Sequence, residues 1–96
     1  GPVLSIIPFD SEEDGLAMAN DTTYGLTNYV QTQDADRAQR CTKALRSGMV
    51  EMNGQGRGAG APFGGMKQSG NGREGGKWGI EDFLEVKSVS GWPTSA

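Results

Sequence analysis

LTNYVQTQDADRAQRCTKALRSGMVEMN, residues 26–53, decides the fold class. Residues 26–32 alternate and carry Tyr29 and Val30, the pattern of a half-buried strand. Asp34 follows as a helix cap. Ala35, Ala38, Cys41 and Leu45 then recur at helical spacing and form one apolar stripe. Arg37, Arg40, Lys43 and Arg46 take the other sides and crowd towards the C-terminal end, where the helix dipole favours positive charge. Gly48 supplies a stop, and residues 49–53 read as the next strand. A strand, a helix and a strand joined by short links predict parallel pairing with a right-handed crossover.

Upstream, residues 3–9 are a short apolar run with β-branched members and read as a buried strand. Asp10 with Glu13 three residues on makes a capping box, and the acidic first turn suits the helix dipole. That helix runs through Leu16, Ala17, Met18 and Ala19 and stops near Asn20-Asp21, ahead of a Tyr24-Gly25 turn. The expectation for residues 1–53 is therefore an α/β unit, β-α-β-α-β, with a parallel sheet. Downstream, residues 54–76 form a glycine-rich loop: eleven of the 16 glycines lie between Gly54 and Gly79. A weak helix is expected from Arg73 to Leu84, anchored by Trp78, Phe83 and Leu84. Gly75, Gly76 and Gly79 each cost it up to ~1 kcal/mol relative to alanine. Residues 85–90 read as a terminal strand. The chain thus divides into residues 1–53, the loop 54–76, and a terminal helix and strand over 77–96.

Ninety-six residues suit one small domain. A chain of that size buries only roughly 60–65% of the surface it exposes unfolded, and its glycines add entropy cost without adding core. The net charge of −3 lacks the basic footprint of generic nucleic-acid binding. No apolar run approaches the roughly 20 residues that cross a bilayer. One cysteine forms no internal disulfide, which fits a reducing compartment and a cytoplasmic location. With one Cys and no His, a Cys/His zinc site is excluded. The chain opens Gly1-Pro2 without methionine, as a processed start, a piece of a longer protein or the remnant of a cleaved tag would.

Several short patterns invite a chemical reading. Gly70-Asn71-Gly72-Arg73-Glu74-Gly75 satisfies G-x-G-x-x-G. A dinucleotide site also needs a strand feeding the glycines and an acidic residue about 20 positions later, whereas position 95 is Ser95. A flexible crossing loop is the simpler reading. Cys41 lies on the apolar stripe, where a cysteine behaves as a small, inert hydrophobe. Glu12, Glu13 and Asp14 form a helix first turn rather than an acid cluster. No carboxylates pair as general acid and base, and no histidine is present to orient one. Gly56-Arg57-Gly58 resembles an Arg-Gly RNA-binding tract, yet one such element in an acidic chain lacks the several cations that phosphate binding needs. Phe63 stands between Pro62 and Gly64-Gly65; it either plugs a local core or lines a pocket.

In order along the chain, a set of motifs resembles the C-terminal segment of the NAD(P)-dependent aldehyde dehydrogenases. They are Gly1-Pro2-Val3, Asn20-Asp21-Thr22-Thr23-Tyr24-Gly25-Leu26, Ser47-Gly48-Met49-Val50 with Asn53, and Glu85-Val86-Lys87. The fifth is Pro62-Phe63-Gly64-Gly65-Met66-Lys67-Gln68-Ser69-Gly70-Asn71-Gly72-Arg73-Glu74. The resemblance implies an enzyme several times longer. Its cysteine attacks an aldehyde, hydride passes to NAD or NADP in a Rossmann-like domain, and a glutamate-activated water releases the acid. It also implies that Phe63 is an aromatic of the substrate tunnel and that Arg57 falls in the loop shaping aldehyde choice, where an arginine suits a polar or anionic substrate end. The nucleophile's motif, the glutamate base and the oxyanion asparagine have no counterparts here, and Gln39 before Cys41 does not restore the first. The chain alone is expected to be inactive, with no catalytic residue and no bound cofactor of its own, and to assemble as a homo-oligomer through its terminal strand. The alternative is a stand-alone oligomerising module.

Overall fold

Two parallel strands and the helix that crosses between them lie at the centre of the chain, and the computed structural model describes residues 1–94. Ser95 and Ala96, the end of the expected 77–96 unit, lie outside the described residues. The elements in order are α1 (Glu12–Asn20), β1 (Tyr24–Gly25), β2 (Thr27–Val30), α2 (Ala35–Ala44), β3 (Met49–Met52), β4 (Met66–Lys67) and α3 (Gly76–Glu81). β2 runs parallel to β3, with Thr27 opposite Met49 and Val30 opposite Met52. The α/β class and its parallel sheet are as expected from residues 26–53.

Local chemistry explains this unit. Asp34 caps α2: its Oδ1 accepts from the N–H groups of Asp36 at 2.9 Å and Arg37 at 3.2 Å. The apolar stripe turns inward towards the C-terminal end, where Cys41 and Leu45 are buried. Ser47 is buried with its hydroxyl fully used: it accepts from Asn28 Nδ2 at 2.8 Å and donates to the Met49 carbonyl at 2.8 Å. Asn20 ties the end of α1 to the end of α2. Its Nδ2 donates to the Ala44 carbonyl at 2.9 Å and its Oδ1 accepts from the Arg46 N–H at 2.8 Å.

Several expectations are corrected. α2 ends at Ala44, with Leu45 as an extended C-cap, and not at Gly48. Residues 3–9 and 85–90 form no strand among the described residues. A strand is completed by hydrogen bonds to a neighbour, and no described strand pairs with either segment. Ser11, not Asp10, caps α1, its Oγ accepting from the Asp14 N–H at 3.1 Å. α3 begins at Gly76 rather than Arg73, because Gly75 and Gly76 take φ of 84° and 63°, outside the right-handed helical region. Its expected anchors stand in the open, Phe83 and Leu84 well exposed and Trp78 half-exposed. Finally, Tyr24–Gly25 is not only a turn: it pairs antiparallel with Met66–Lys67, a two-residue ladder too short to leave a periodic trace in sequence.

The chain is far from compact. Its radius of gyration is 19.0 Å, against about 12.5 Å for a closed domain of this length. The long dimension of 68 Å agrees with ends that lie away from the centre.

Candidate functional site

The glycine-rich stretch is stitched, link by link, to the turn after α1. The Gln68 N–H donates to the Thr23 carbonyl at 2.9 Å, and Ser69 Oγ accepts from the Gly25 N–H at 2.9 Å. Lys67 holds a left-handed φ of 57°, unusual for a side chain with a Cβ. Its ammonium supports that conformation by donating to the carbonyls of Asn20 and Thr22, each at 3.1 Å. Gly48 lets the stretch approach β3: a Cβ there would run into the carbonyl of Gly64.

Arg73 closes the loop from inside. Its Nη1 donates to the carbonyls of Gly65 at 2.6 Å, Gly72 at 2.9 Å and Asn71 at 3.3 Å. Phe63 and Glu74 pair as an antiparallel bridge, each N–H meeting the other's carbonyl at 2.7 Å. Glu74 is therefore a backbone partner of Phe63, and Gly75 stands at the N-terminal cap of α3. The bridge and the Arg73 bonds fix the backbone that carries the Phe63 ring.

Phe63 resolves as neither core nor closed pocket wall within this chain. The residue is 40% exposed. The Arg57 guanidinium carbon lies 5.3 Å from the ring centroid, a cation–π contact. The structure thus brings together the two residues singled out for substrate contact. Neither lines either of two clefts on the described residues. The first, about 490 Å³, runs between α1 and β2 beside Phe9, Leu16, Val30 and Leu45. The second, about 410 Å³, lies along α3 beside Gly79, Ile80 and Phe83. The first is lined by apolar and polar side chains alike, Asp10, Glu12, Asn28 and Arg37 among the latter.

The other candidates separate from this loop. Cys41 is buried in α2. Glu12 sits at the start of α1 in a two-arginine clamp, 2.8 Å from Arg40 and 3.0 Å from Arg37. Hydrogen bonds from Arg40, then Arg37, pull its carboxyl down to about 2, and Arg40 holds its own proton more tightly in return. Among the described residues no group of acidic, Cys or His side chains could hold a metal ion. The G-x-G-x-x-G run does not fit a dinucleotide. The strand-like residue ahead of it, Phe63, is bridged to Glu74, and Arg73 fills the loop with its own cation. The roles of Lys67, Ser69 and Arg73 were missed from sequence. Their only signal was polar residues at set places in a glycine run, and their partners lie up to 47 positions away. Among the described residues no helix is long and apolar enough to cross a membrane.

Comparison with known proteins places this geometry. The sequence profile of the aldehyde dehydrogenase family matches residues 1–89. A 3-succinoylsemialdehyde-pyridine dehydrogenase from Pseudomonas sp is 50% identical over 95 residues, which are 99% of this chain and 20% of that protein. The solved aldehyde dehydrogenase from Bartonella henselae superposes with a TM-score of 0.91 and 53% identity, covering 96% of this chain and 19% of that one. The NAD+ complex of an aldehyde dehydrogenase from Bacillus cereus superposes with a TM-score of 0.87 and 43% identity, over 93% of this chain and 18% of that one. The chain spans about a fifth of the length of the curated relatives it matches.

Proposed function

The chain belongs to the aldehyde dehydrogenase family, and from that premise we propose that it is the C-terminal part of an enzyme that oxidises an aldehyde to a carboxylic acid with NAD or NADP. One observation carries this reading: residues 1–89 match the family, yet the chain spans about a fifth of its relatives. Acyl chemistry of this kind needs a nucleophile and charge stabilisers held within about 3 Å of the reacting carbon. The one thiol here is buried in α2, so those groups belong to residues outside these 96. The cofactor belongs there too. The NAD+ complex of the Bacillus cereus relative supports a nicotinamide cofactor for the full-length enzyme.

In this reading residues 1–53 complete the sheet of the catalytic domain. Residues 54–76 carry Phe63 and Arg57 to the wall of the aldehyde tunnel, and residues 77–96 take part in pairing subunits. The exposed apolar side chains at both ends support burial against another domain or subunit, and hence a homo-oligomer. The single, buried, unpaired cysteine fits the cytoplasm. The same exposed ends favour the second reading, a stand-alone oligomerising module.

One experiment on the isolated chain separates the two. It is mixed with NAD or NADP and a panel of aldehydes, reduced cofactor is followed, and light scattering is recorded across a dilution series. No turnover is expected, with polydisperse association. Steady production of reduced cofactor overturns the assignment of the working groups to other residues. A single defined oligomer, stable to dilution, favours the module.

A further inference from the structure

We propose that Asn71-Gly72 is a site of spontaneous covalent modification, where the Asn71 side-chain amide is lost and Arg73 captures the carboxylate that replaces it. The inference goes beyond the dehydrogenase reading and does not draw on it. The chain has four asparagines, Asn20, Asn28, Asn53 and Asn71, and two of them, Asn53 and Asn71, precede a glycine. Glycine is the residue whose N–H attacks a preceding asparagine side chain with least hindrance, because it has no Cβ. Three of the four side chains are committed. Asn20 bonds the Ala44 carbonyl and the Arg46 N–H, and Asn28 donates to Ser47 Oγ. Asn53 Oδ1 accepts from the Thr32 N–H at 2.8 Å, and its own N–H donates to the Val30 carbonyl at 2.7 Å. Asn71 differs. Among the described residues neither its side-chain amide nor the Gly72 N–H makes a hydrogen bond. Both Asn-Gly pairs are exposed, so tethering rather than access separates them.

The reaction balances with solvent alone. Hydroxide removes the proton of the Gly72 N–H, the nitrogen attacks Asn71 Cγ, and the side-chain nitrogen leaves as ammonia, closing a succinimide ring. Water then adds to one ring carbonyl and breaks its bond to the nitrogen. Nothing is oxidised or reduced; an amide NH2 is exchanged for an OH, which ionises. Arg73 faces both stages. Its Nη1 donates to the Asn71 carbonyl at 3.3 Å and so favours the negative charge that this amide takes on as it loses its proton. Opening at the same carbonyl diverts the main chain through Asn71 Cβ and Cγ. It frees a carboxylate where Arg73 already donates, and that charge-assisted bond is stronger than the one it replaces. The diverted chain is one carbon longer, so the Gly72 carbonyl shifts. That carbonyl accepts from Arg73 at 2.9 Å and lies against Gly64, where a Cβ would overlap it. Drawn to the new anion, Arg73 gives up the Gly65 carbonyl that it holds at 2.6 Å. The Phe63–Glu74 bridge then loses that support.

The test uses the full-length enzyme and reads peptide masses, so it stands whether or not that enzyme oxidises aldehydes. Native and guanidinium-unfolded samples are held in mildly alkaline buffer, digested, and mapped for peptides in which an amide NH2 has become OH. In the native sample conversion at Asn71 should outpace that at Asn53 about 10-fold, the protection that one net hydrogen bond gives. In the unfolded sample the two rates should converge. Gly72→Ala adds a Cβ in open space and should suppress conversion at position 71 with the urea midpoint unchanged. Amide hydrogen exchange at Phe63 and Glu74 should speed up in the aged native enzyme and not in aged Gly72→Ala. Equal rates at Asn53 and Asn71 in the native enzyme, or no conversion at Asn71, overturn the proposal. Conversion at Asn71 with unchanged exchange overturns the role given to Arg73.

Discussion

Among the described residues the middle of the chain holds the buried apolar side chains and the two ends hold the most exposed ones. Cys41 and Leu45 in the middle are 7% and 8% exposed, whereas Val3, Ile6, Phe83 and Val86 at the ends stand at 86%, 84%, 87% and 100%. Hydrophobicity does not separate the two groups. Access to a second surface does. The middle folds its own crossover helix onto its own strands, and Asn20, Lys67, Ser69 and Arg73 tie neighbouring segments together with polar bonds. The ends have an apolar side and nothing within the chain to lay it on. Burying an Ile or Phe side chain is worth about 1.5–3 kcal/mol, so ends like these gain stability only from another domain or subunit.

The largest effect should come from breaking the middle. In the proposed full-length enzyme, Gly48→Val places branched carbon against the Gly64 carbonyl, which is backbone and cannot swing away. The strand or the loop must shift, and the cost should exceed about 3 kcal/mol, at the upper end of overpacking effects. A urea midpoint lowered to match, with loss of activity, is the expected result. A midpoint within experimental error of the unsubstituted enzyme would show that the close approach of β3 and the glycine loop is not part of the working fold.

Ile6→Asp sharpens the contrast from the other side. In the isolated chain Ile6 is exposed, so the substitution should change stability by no more than about 0.5 kcal/mol. In the full-length enzyme the same change should cost about 3 kcal/mol or more, because an unpaired carboxylate would enter a buried layer. Far-UV circular dichroism of the chain and denaturant titration of the enzyme give the two numbers. Equal, small effects in both would mean that residues 3–9 face water in the enzyme too, and that the ends need no covering surface.

What could be read in advance follows the same division. The crossover unit was legible because its signals are local: the Asp34 cap and the stripe ending in Cys41 and Leu45, although α2 stops at Ala44, ahead of the expected stop at Gly48. Residues 3–9 were also read correctly as apolar, but strand formation depends on a partner that their own letters do not describe. α3 started late because left-handed φ at Gly75 and Gly76 outweighed the pattern of Trp78, Phe83 and Leu84. At the site, the importance of Phe63 and Arg57 was raised by motif and resemblance, and only coordinates placed one on the other. The β1–β4 ladder and the bonds from Lys67 and Arg73 were invisible for a different reason. They join residues distant in sequence through side chain-to-carbonyl contacts, which follow no period.

The smallest effect belongs to the clamp that joins α1 to α2. Hydrogen bonds from Arg40, then Arg37, lower the Glu12 carboxyl from its ordinary 4.5 to about 2. A carboxyl lowered in the folded state binds its proton more readily once unfolded. Its contribution is therefore complete above about pH 4.5 and fades as the pH falls towards 2. The side chains of Arg37 and Arg40 are 52% and 53% exposed, so water and salt screen the pair and the contribution is modest. Glu12→Gln should lower the urea midpoint of the full-length enzyme slightly at pH 6, and the gap should narrow steadily below pH 4.5. Added salt should shrink it at pH 6. A gap that stays constant down to pH 3 would mean that Glu12 is not held between the two arginines. The junction of α1 and α2 would then rest on Asn20 alone, whose amide does not titrate.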